Sequence, residues 1–252
     1  MSQNLNPQQH AALKYIDGPL LVLAGAGSGK TSVITRKIAY LVEECGIPAR
    51  NIAAVTFTNQ AAREMKARVS TLLGKSEGKG LKVSTFHNLG LTIIRTEIKA
   101  LGFKPGFSIL DQEDCKNLLK ELLVRNTELD EKLIDTAQNT ISNWKNGLLE
   151  PHQTANASNS TGEQAIAMLY ERYQRALKAY NAVDFDDLIM IPVLLFRSQP
   201  EVLAKWQRRI RYLLVDEYQD TNLAQYELVK TLVNEKQALT VVGDDDQSIY
   251  AW

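Results

Sequence analysis

The sequence has few of the features that mark secreted, membrane or thiolate-metal proteins. Its 252 residues include only two cysteines, Cys45 and Cys115, which are too far apart in sequence for a metal-ligand motif. Such low cysteine content argues against a disulfide framework. No stretch approaches the roughly 20 apolar residues that a membrane-spanning helix needs, and the first ten residues contain no apolar signal segment. We therefore expect a cytoplasmic protein without membrane contact.

The chain also has no net charge at neutral pH. The chain has 29 basic and 29 acidic residues, so its overall charge gives no support for nucleic-acid binding. The distribution is uneven, because residues 1–100 contain 13 Lys and Arg against 6 Asp and Glu. Residues 101–200 contain 10 against 14, and residues 201–252 contain 6 against 9. This asymmetry suggests a basic face in the N-terminal part that the total conceals.

A short apolar run, Leu20–Leu23, leads into the glycine-rich segment AGAGSGKT. Three glycines allow the backbone N–H groups to turn inward around an anion, and the helix expected to follow points its positive end at the same place. Lys30 would reach the β- and γ-phosphates, and the Thr31 hydroxyl would bind Mg²⁺. The pattern is a variant, because Ala24 replaces the usual first glycine. A chance glycine-rich turn is the alternative, whereas Lys30 excludes a dinucleotide-binding loop, which would have a third glycine there.

The spacing of apolar residues predicts an α/β fold with a parallel sheet. Strands are predicted at 20–23, 52–57, 81–85, 212–215 and 239–242, with helices at 33–44, 61–73 and 223–233. Asn6 and Pro7 predict the start of a short helix that runs toward Tyr15.

Residues 86–197 follow a different pattern, in which no strand is evident. Helices are predicted at 111–124, 129–144, 162–180 and 185–196, and the polar segment 151–162 is predicted to be a mobile loop. We interpret this block as a helical insertion into the α/β domain.

Three predicted strands, 20–23, 212–215 and 239–242, end in polar loops. Ligands of open parallel sheets bind beyond the carboxyl ends of the strands, so these loops are expected to converge. Asp216 would hold Mg²⁺, and Glu217 would accept a proton from the water that attacks the γ-phosphate. The alternative for this carboxylate pair is a solvated turn or a helix cap.

Other polar residues near these loops are assigned from the chemistry of their side chains. Gln247 is placed to contact the γ-phosphate, whereas residues 244–246 are interpreted as turn residues without a catalytic role. The Gln9 amide has the donor and acceptor needed to pair with adenine. The alternative is that Gln9 is an ordinary exposed glutamine.

Two further strand ends, TFTNQ at Thr56–Gln60 and STFH at Ser84–His87, carry hydroxyl groups and an aromatic ring. Hydroxyl groups contact phosphates, and Phe57 or Phe86 could stack on a base. The alternative is that both rings belong to the core.

Seven segments, in this order and spacing, resemble superfamily 1 helicases of the UvrD/Rep/PcrA group: LNPQQ, AGAGSGKT, TFTNQAAREM, STFH, DFDDL, VDEYQDTN and VVGDDDQSIYAW. The resemblance implies a RecA-like P-loop NTPase fold with an inserted all-helical subdomain. It also implies ATP- and Mg²⁺-dependent 3′-to-5′ movement on single-stranded DNA, unwinding of 3′-tailed duplex, and replication or repair proteins as partners. The expected domains are 1–86 (motor domain 1A, first part), 87–197 (inserted subdomain 1B) and 198–252 (motor domain 1A, second part).

The resemblance also assigns residues to roles. The expected catalytic residues are Lys30, Asp216, Glu217 and Gln247, with Thr31 and Asp216 as metal ligands. The expected ATP-binding residues are Gln9, Ala24, Gly25, Ala26, Gly27, Ser28, Gly29, Lys30, Thr31 and Ser32. The expected DNA-binding residues are Phe57, Thr58, Asn59, Thr85, His87, Tyr250 and Trp252. Two positions depart from the family, since Gln60 stands where Lys is usual and Ser32 where Arg is common.

In the family the chain continues beyond the position of Trp252 with a second motor domain, which supplies arginines to the γ-phosphate. These 252 residues are therefore expected to be a truncated helicase that binds nucleotide weakly and does not unwind DNA. Two other functions stay open: the motor part of a RecB- or AddA-type helicase–nuclease subunit, and a regulatory ATP-binding module.

Overall fold

The computed structural model describes residues 5–25, 29–123, 131–157, 160–234, 236 and 238–244. The chain divides into two compact units. The first takes the described residues of Met1–Leu89, Phe196–Thr221 and Val229–Trp252, and the second takes those of Gly90–Leu195 and Asn222–Leu228. The boundaries predicted for 1A and 1B stay predictions. No helix in the described residues is long and apolar enough to span a membrane.

The helices and strands alternate at both ends of the chain. In chain order they are α1 (Pro7–Lys14), β1 (Leu20–Leu23), α2 (Lys30–Glu43), β2 (Ile52–Thr56), α3 (Asn59–Glu77), β3 (Lys82–Thr85), α4 (Phe86–Thr96), α5 (Ile98–Leu101), β4 (Ser108–Ile109), α6 (Gln112–Leu123), α7 (Glu131–Asn146), α8 (Pro151–Ala157), α9 (Thr161–Ala179), β5 (Ala182–Val183), α10 (Asp187–Ser198), α11 (Pro200–Arg209), β6 (Tyr212–Val215), α12 (Leu223–Leu232) and β7 (Leu239–Gly243).

The first unit is built on a five-stranded sheet in the order β1-β7-β6-β2-β3. Every neighbouring pair of strands is parallel. All residues of β2 and β6 are buried, as expected for central strands of a parallel sheet covered on both faces. Ile34 and Ile38 of α2 and Met65 of α3 pack with Leu214 in one hydrophobic core. The predicted parallel α/β fold is confirmed.

The start of α1 follows the predicted capping signal. The Gln9 backbone N–H donates to Asn6 Oδ1 at 2.8 Å, and the Asn6 N–H donates to Gln9 Oε1 at 3.0 Å. Pro7 occupies the first turn, where its missing N–H costs nothing. The helix ends at Lys14, and Tyr15 forms its C-cap. The prediction of a short helix toward Tyr15 is confirmed.

The second unit is mostly helical, and it corrects two predictions. Residues 151–157 form helix α8 rather than a loop. Pro151 starts this helix, and the Glu150 N–H donates to Gln153 Oε1 at 2.8 Å, so local capping outweighs the loop-like composition. The block also contains the short parallel pair β4 and β5, so the expectation that it lacks strands was wrong for those four residues.

Within the second unit, a buried charge cluster joins α7 to the start of α10 and to the residues just before it. Lys145 is fully buried, and its ammonium donates to Asp184 at 2.6 Å and to Asp187 at 2.8 Å. Tyr173 also donates to Asp184, at 2.9 Å. Burial opposes the charge of Lys145, but the two carboxylates outweigh it and raise the lysine pKa. The DFDDL segment thus supplies an internal ion pair of this unit.

Candidate nucleotide-binding site

The loops that follow β1, β6 and β7 meet at the carboxyl edge of the sheet. The Lys30 ammonium donates to Asp244 Oδ2 at 2.9 Å and lies 3.8 Å from Glu217 Oε2. Lys30 follows the phosphate loop, Glu217 follows β6 and Asp244 follows β7. The prediction that these three loops converge is confirmed. The roles assigned to their residues stay predictions.

Helix α2 presents its N-terminus to this convergence. Gly29 is its N-cap, with a φ of 86° that favours glycine, and it gives the helix no side-chain cap. The first N–H groups of α2 can therefore serve an anion, which the helix dipole also favours. Thr31 and Ser32 lie half-buried in this first turn. On the β1 side the Ala24 N–H donates to the Gly243 carbonyl at 3.1 Å, which ties the start of the loop, followed by Gly25, to β7.

Three of the predicted loop residues, Ala26, Gly27 and Ser28, lie outside the described residues, as do Gln247, Tyr250 and Trp252. Their predicted roles stay predictions.

Asp216 directly follows β6, and it is only 4% exposed. Burial and, after it, the neighbouring Glu217 charge together raise the pKa of its carboxyl group to about 6. The Glu217 N–H donates to Asp216 Oδ1 at 3.1 Å. A buried carboxylate with a raised pKa gains from a nearby cation, because the cation offsets the cost of desolvating its charge. The position suits a magnesium ligand.

Glu217 has a left-handed backbone, with φ of 53°. This conformation is uncommon for a residue other than glycine, and such residues cluster at functional sites. Gln219 Nε2 donates to Glu217 Oε2 at 2.7 Å, while Gln219 Oε1 accepts from the Asp244 N–H at 3.0 Å. One glutamine therefore orients the carboxylate after β6 and the backbone after β7.

The sequence interpretation missed Asp244. This predicted turn residue is only 2% exposed, and its side chain forms the shorter of the two contacts with Lys30. The signal was its position directly after β7, which matches the position of Asp216 after β6. Asp245 and Asp246 lie outside the described residues.

Gln9 lies against the start of α2. A Cβ built on Gly29 would be 3.5 Å from Gln9 Nε2. The Gln9 side chain is half-buried and takes part in the cap of α1, so it is not fully exposed, and its role toward a nucleotide stays a prediction. Its position beside the phosphate loop is compatible with contact to a nucleotide base.

The predicted DNA-binding residues lie in two groups after β2 and β3. Phe57 is half-buried and packs edge-on against Phe86, with ring centroids 5.4 Å apart. Phe86 is 1% exposed, so the interpretation of this ring as a core residue is the correct one. Thr58 is exposed, and its hydroxyl accepts from the Ala61 N–H at 3.1 Å at the start of α3.

A hydrogen bond joins the two groups, because Asn88 Nδ2 donates to Asn59 Oδ1 at 3.0 Å. Thr85 is buried, and its hydroxyl accepts from the Asn88 N–H at 3.2 Å, so it caps α4. His87 is half-buried. Gln60, the departure from the family pattern, is exposed and donates to Glu64 at 3.0 Å.

The chain is similar to known proteins over nearly its whole length. The family model described as "UvrD/REP helicase N-terminal domain" matches residues 5–252. The ATP-dependent DNA helicase Rep of Escherichia coli strain K12 is 56% identical over 248 residues, which cover 98% of this chain and 37% of that protein. Rep of Buchnera aphidicola subsp. Acyrthosiphon pisum is 48% identical over 249 residues, covering 99% of this chain and 39% of that protein.

A third relative, the ATP-dependent DNA helicase PcrA of Staphylococcus epidermidis, is 45% identical over 252 residues, which cover 99% of this chain and 34% of that protein. The chain thus spans between a third and two fifths of the length of these curated relatives. The family match and the identities confirm the resemblance seen in the sequence motifs, and the chain belongs to the UvrD/REP helicase family, whose N-terminal domain it matches.

Proposed function

We propose that this chain is the N-terminal, ATP-binding part of a helicase that uses ATP and Mg²⁺ to move 3′-to-5′ on single-stranded DNA. The observation that carries the proposal is the meeting of Lys30, Glu217 and Asp244 at the sheet edge that Asp216 also occupies. The names of the relatives supply the reaction class, since both Rep and PcrA are called ATP-dependent DNA helicases.

The side chains at this edge would have different roles toward a bound ATP. The Lys30 ammonium, held between two carboxylates, would transfer to the β- and γ-phosphates when they arrive. Glu217 would accept a proton from the attacking water, and Gln219 would hold its carboxylate in place. Gln247 would contact the γ-phosphate, as the family motif implies.

The donor set fits a magnesium ion. The Thr31 hydroxyl and the Asp216 carboxylate supply the oxygen ligands that Mg²⁺ prefers, and Asp216 is buried deeply enough to gain from the added charge. When bound, the ion would neutralise the developing charge on the phosphates. Gln9, beside Gly29, would contact the adenine.

DNA would lie along the strand ends after β2 and β3. Phe57, Thr58, Asn59 and His87 are all partly or fully exposed there, which supports a track for single-stranded DNA. Buried Thr85 would support the track through its cap of α4. By family resemblance, the helical block 87–197 is the inserted subdomain 1B, and the substrates are single strands and 3′-tailed duplexes. Replication or repair proteins are the proposed partners.

The test measures binding and hydrolysis separately. In the 252-residue chain, Glu217→Gln should retain MgATP binding, measured by calorimetry, and lose DNA-stimulated hydrolysis. Lys30→Met should lose binding, whereas Lys66→Met on the exposed face of α3 should lose neither. The unsubstituted chain is expected to hydrolyse ATP slowly and not to unwind. The family resemblance implies that arginines of a second motor domain complete the site, and an arginine that stabilises the transition-state charge is worth ~10³–10⁵ in rate in phosphoryl transfer generally.

Titration of labelled oligo-dT at two salt concentrations separates a helicase part from a regulatory ATP-binding module. Backbone contacts release counterions, so a true DNA track should give affinity that falls steeply with salt. Absence of any salt-dependent binding would favour the regulatory module. Unchanged hydrolysis by Glu217→Gln would remove the proposed role of that residue.

A further inference from the structure

Lys37 lies in the middle of α2, and it is fully buried. Its ammonium donates to the carbonyl oxygens of Ala12 at 2.8 Å and Leu13 at 3.4 Å, and also to that of Tyr15. These three acceptors form the C-terminal end of α1. In the described part of the chain no carboxylate pairs with Lys37, so the charge is directed at backbone carbonyls alone.

These carbonyls belong to the group that a helix cannot satisfy internally. The last four C=O groups of an α-helix lack partners within the helix, and a lysine ammonium both bonds to them and complements the negative end of the dipole. Lys37 thus caps a helix other than its own. The Tyr212 ring, 5.9 Å from the ammonium, faces the same site.

Helix α1 has only a small packed face. None of its eight residues is fully buried, Gln9, Ala12 and Leu13 are half-buried, and Tyr15 at its end is 43% exposed. A helix of this length is not stable by itself in water, and most helices are held by the burial of an apolar face. Because this face is small, the hydrogen bonds from Lys37 add to a limited apolar contact in fixing where α1 lies.

The two ends of α1 contact α2 at two successive points along its length. At its N-terminal end Gln9 lies beside Gly29, the N-cap of α2, and at its C-terminal end the carbonyls lie on Lys37. Lys30 and Lys37 are separated by two turns, about 10 Å along α2. One helix therefore carries the phosphate-binding lysine and also the lysine that fixes α1.

We propose that Lys37 is a positioning residue for recognition of the nucleotide base. It anchors α1 on α2, so that the Gln9 amide is held beside Gly29, the N-cap of α2. This inference rests on the proposed contact between Gln9 and adenine. Its consequence is that loss of the Lys37 ammonium weakens selection of adenine and leaves the grip on the phosphates intact.

The experiment compares three ligands on the 252-residue chain: MgATP, MgGTP and magnesium tripolyphosphate. Calorimetric Kd values are measured for the unsubstituted chain and for Lys37→Met, Lys37→Arg and Gln9→Ala. Lys37→Met should weaken ATP binding about tenfold, the size of the paired neutral hydrogen bonds that Gln9 would make with adenine. It should leave tripolyphosphate affinity unchanged and bring the ATP and GTP affinities together. Lys37→Arg retains the charge and should restore most of the preference for ATP.

The matched control is Lys14→Met, which removes an exposed lysine from α1 itself. It should leave all three affinities unchanged. A double variant tests the mechanism, because residues that act as a unit are not additive. After Gln9→Ala has removed the adenine contact, Lys37→Met should cost no further ATP affinity.

The outcomes separate this inference from the proposed function. If Lys37→Met retains the ATP preference, or if it weakens ATP and tripolyphosphate equally, Lys37 is not a positioning residue for the base. If the unsubstituted chain binds no tripolyphosphate, the proposed phosphate site itself fails. If Gln9→Ala leaves the ATP preference intact, the adenine contact is wrong and this inference fails with it.

Discussion

The charged atoms of Lys30 and Asp244 lie 2.9 Å apart, although the residues are 214 positions apart in sequence. Asp244 is almost fully buried, and the Lys30 side chain is 10% exposed. The lysine that is proposed to bind phosphate is therefore held by a carboxylate. If Lys30 has that role, a nucleotide competes with Asp244 for this ammonium, and the strength of the Lys30–Asp244 contact sets part of the affinity for phosphate.

Asp244→Asn should weaken that competition. The amide oxygen still accepts a hydrogen bond from Lys30, but the negative charge is gone, so the ammonium transfers to phosphate more readily. We expect magnesium tripolyphosphate to bind several-fold more tightly. The measurement is the calorimetric Kd for magnesium tripolyphosphate of the unsubstituted chain, of Asp244→Asn and of the control Asp220→Asn. The control removes an exposed carboxylate from the same loop region. If Asp244→Asn binds tripolyphosphate more weakly than the unsubstituted chain and Asp220→Asn does not, Asp244 orients Lys30 and does not compete with the phosphate.

Asp216 predicts a pH dependence of stability. Burial raises its pKa in the folded chain to about 6, whereas an unfolded Asp titrates near ~4. The stability that this group contributes is fully present below about pH 4 and is lost as pH rises through about 6. Asp216→Asn should therefore stabilise the chain without nucleotide by about 3 kcal/mol at pH 8, and it should have almost no effect at pH 4.

Urea denaturation of Asp216→Asn at the two pH values measures this difference, with Asp220→Asn again as the control. The same substitution should abolish the Mg²⁺ dependence of ATP binding, because it removes the proposed metal ligand. Equal stabilisation at pH 4 and pH 8 would contradict the assignment of the raised pKa to this carboxyl group.

The buried cluster of the second unit predicts a large loss of stability. Lys145→Met leaves the carboxylates of Asp184 and Asp187 buried without their cation, and such a change costs about 3–5 kcal/mol. Lys116→Met breaks the more exposed pair with Asp135 and should cost at most about 1 kcal/mol. Urea unfolding at pH 7 measures both. The deficit of Lys145→Met should shrink at pH 5, where protonation can neutralise a freed carboxylate.

The close packing around Gly90 in the same unit predicts that any side chain at this position will clash. A Cβ at this position would lie 1.8 Å from the carbonyl oxygen of Leu188, and neither backbone can move aside without shifting its helix. Gly90→Ala should destabilise the unit by about 3 kcal/mol. Gly162→Ala is the matched control, because the nearest atom there would be 3.9 Å away. A thermal melt in which both variants unfold at the same temperature would contradict this prediction.

The sequence by itself determined the elements that local patterns encode. Apolar runs that end in polar loops identified β1, β6 and β7, and the Asn6–Pro7 signal identified the start of α1. The motifs located Lys30, Asp216 and Glu217, because a phosphate loop and a strand-end carboxylate pair are each contiguous in sequence. Helix capping and apolar periodicity depend on residues only a few positions apart, so they can be recognised directly in the sequence.

Tertiary structure decided which of these residues touch. The strand order places β7 between β1 and β6. Asp244, which follows β7, therefore lies next to Lys30 and pairs with it, although the sequence predicted only a turn residue there. Burial likewise assigned Phe86 to the core. The physical reason is that side-chain contacts across a sheet depend on the order of its strands, and a chain position alone does not encode that order. Lys37 shows the same limit, because a lysine on the apolar face of α2 acquires its role only where the end of α1 meets it.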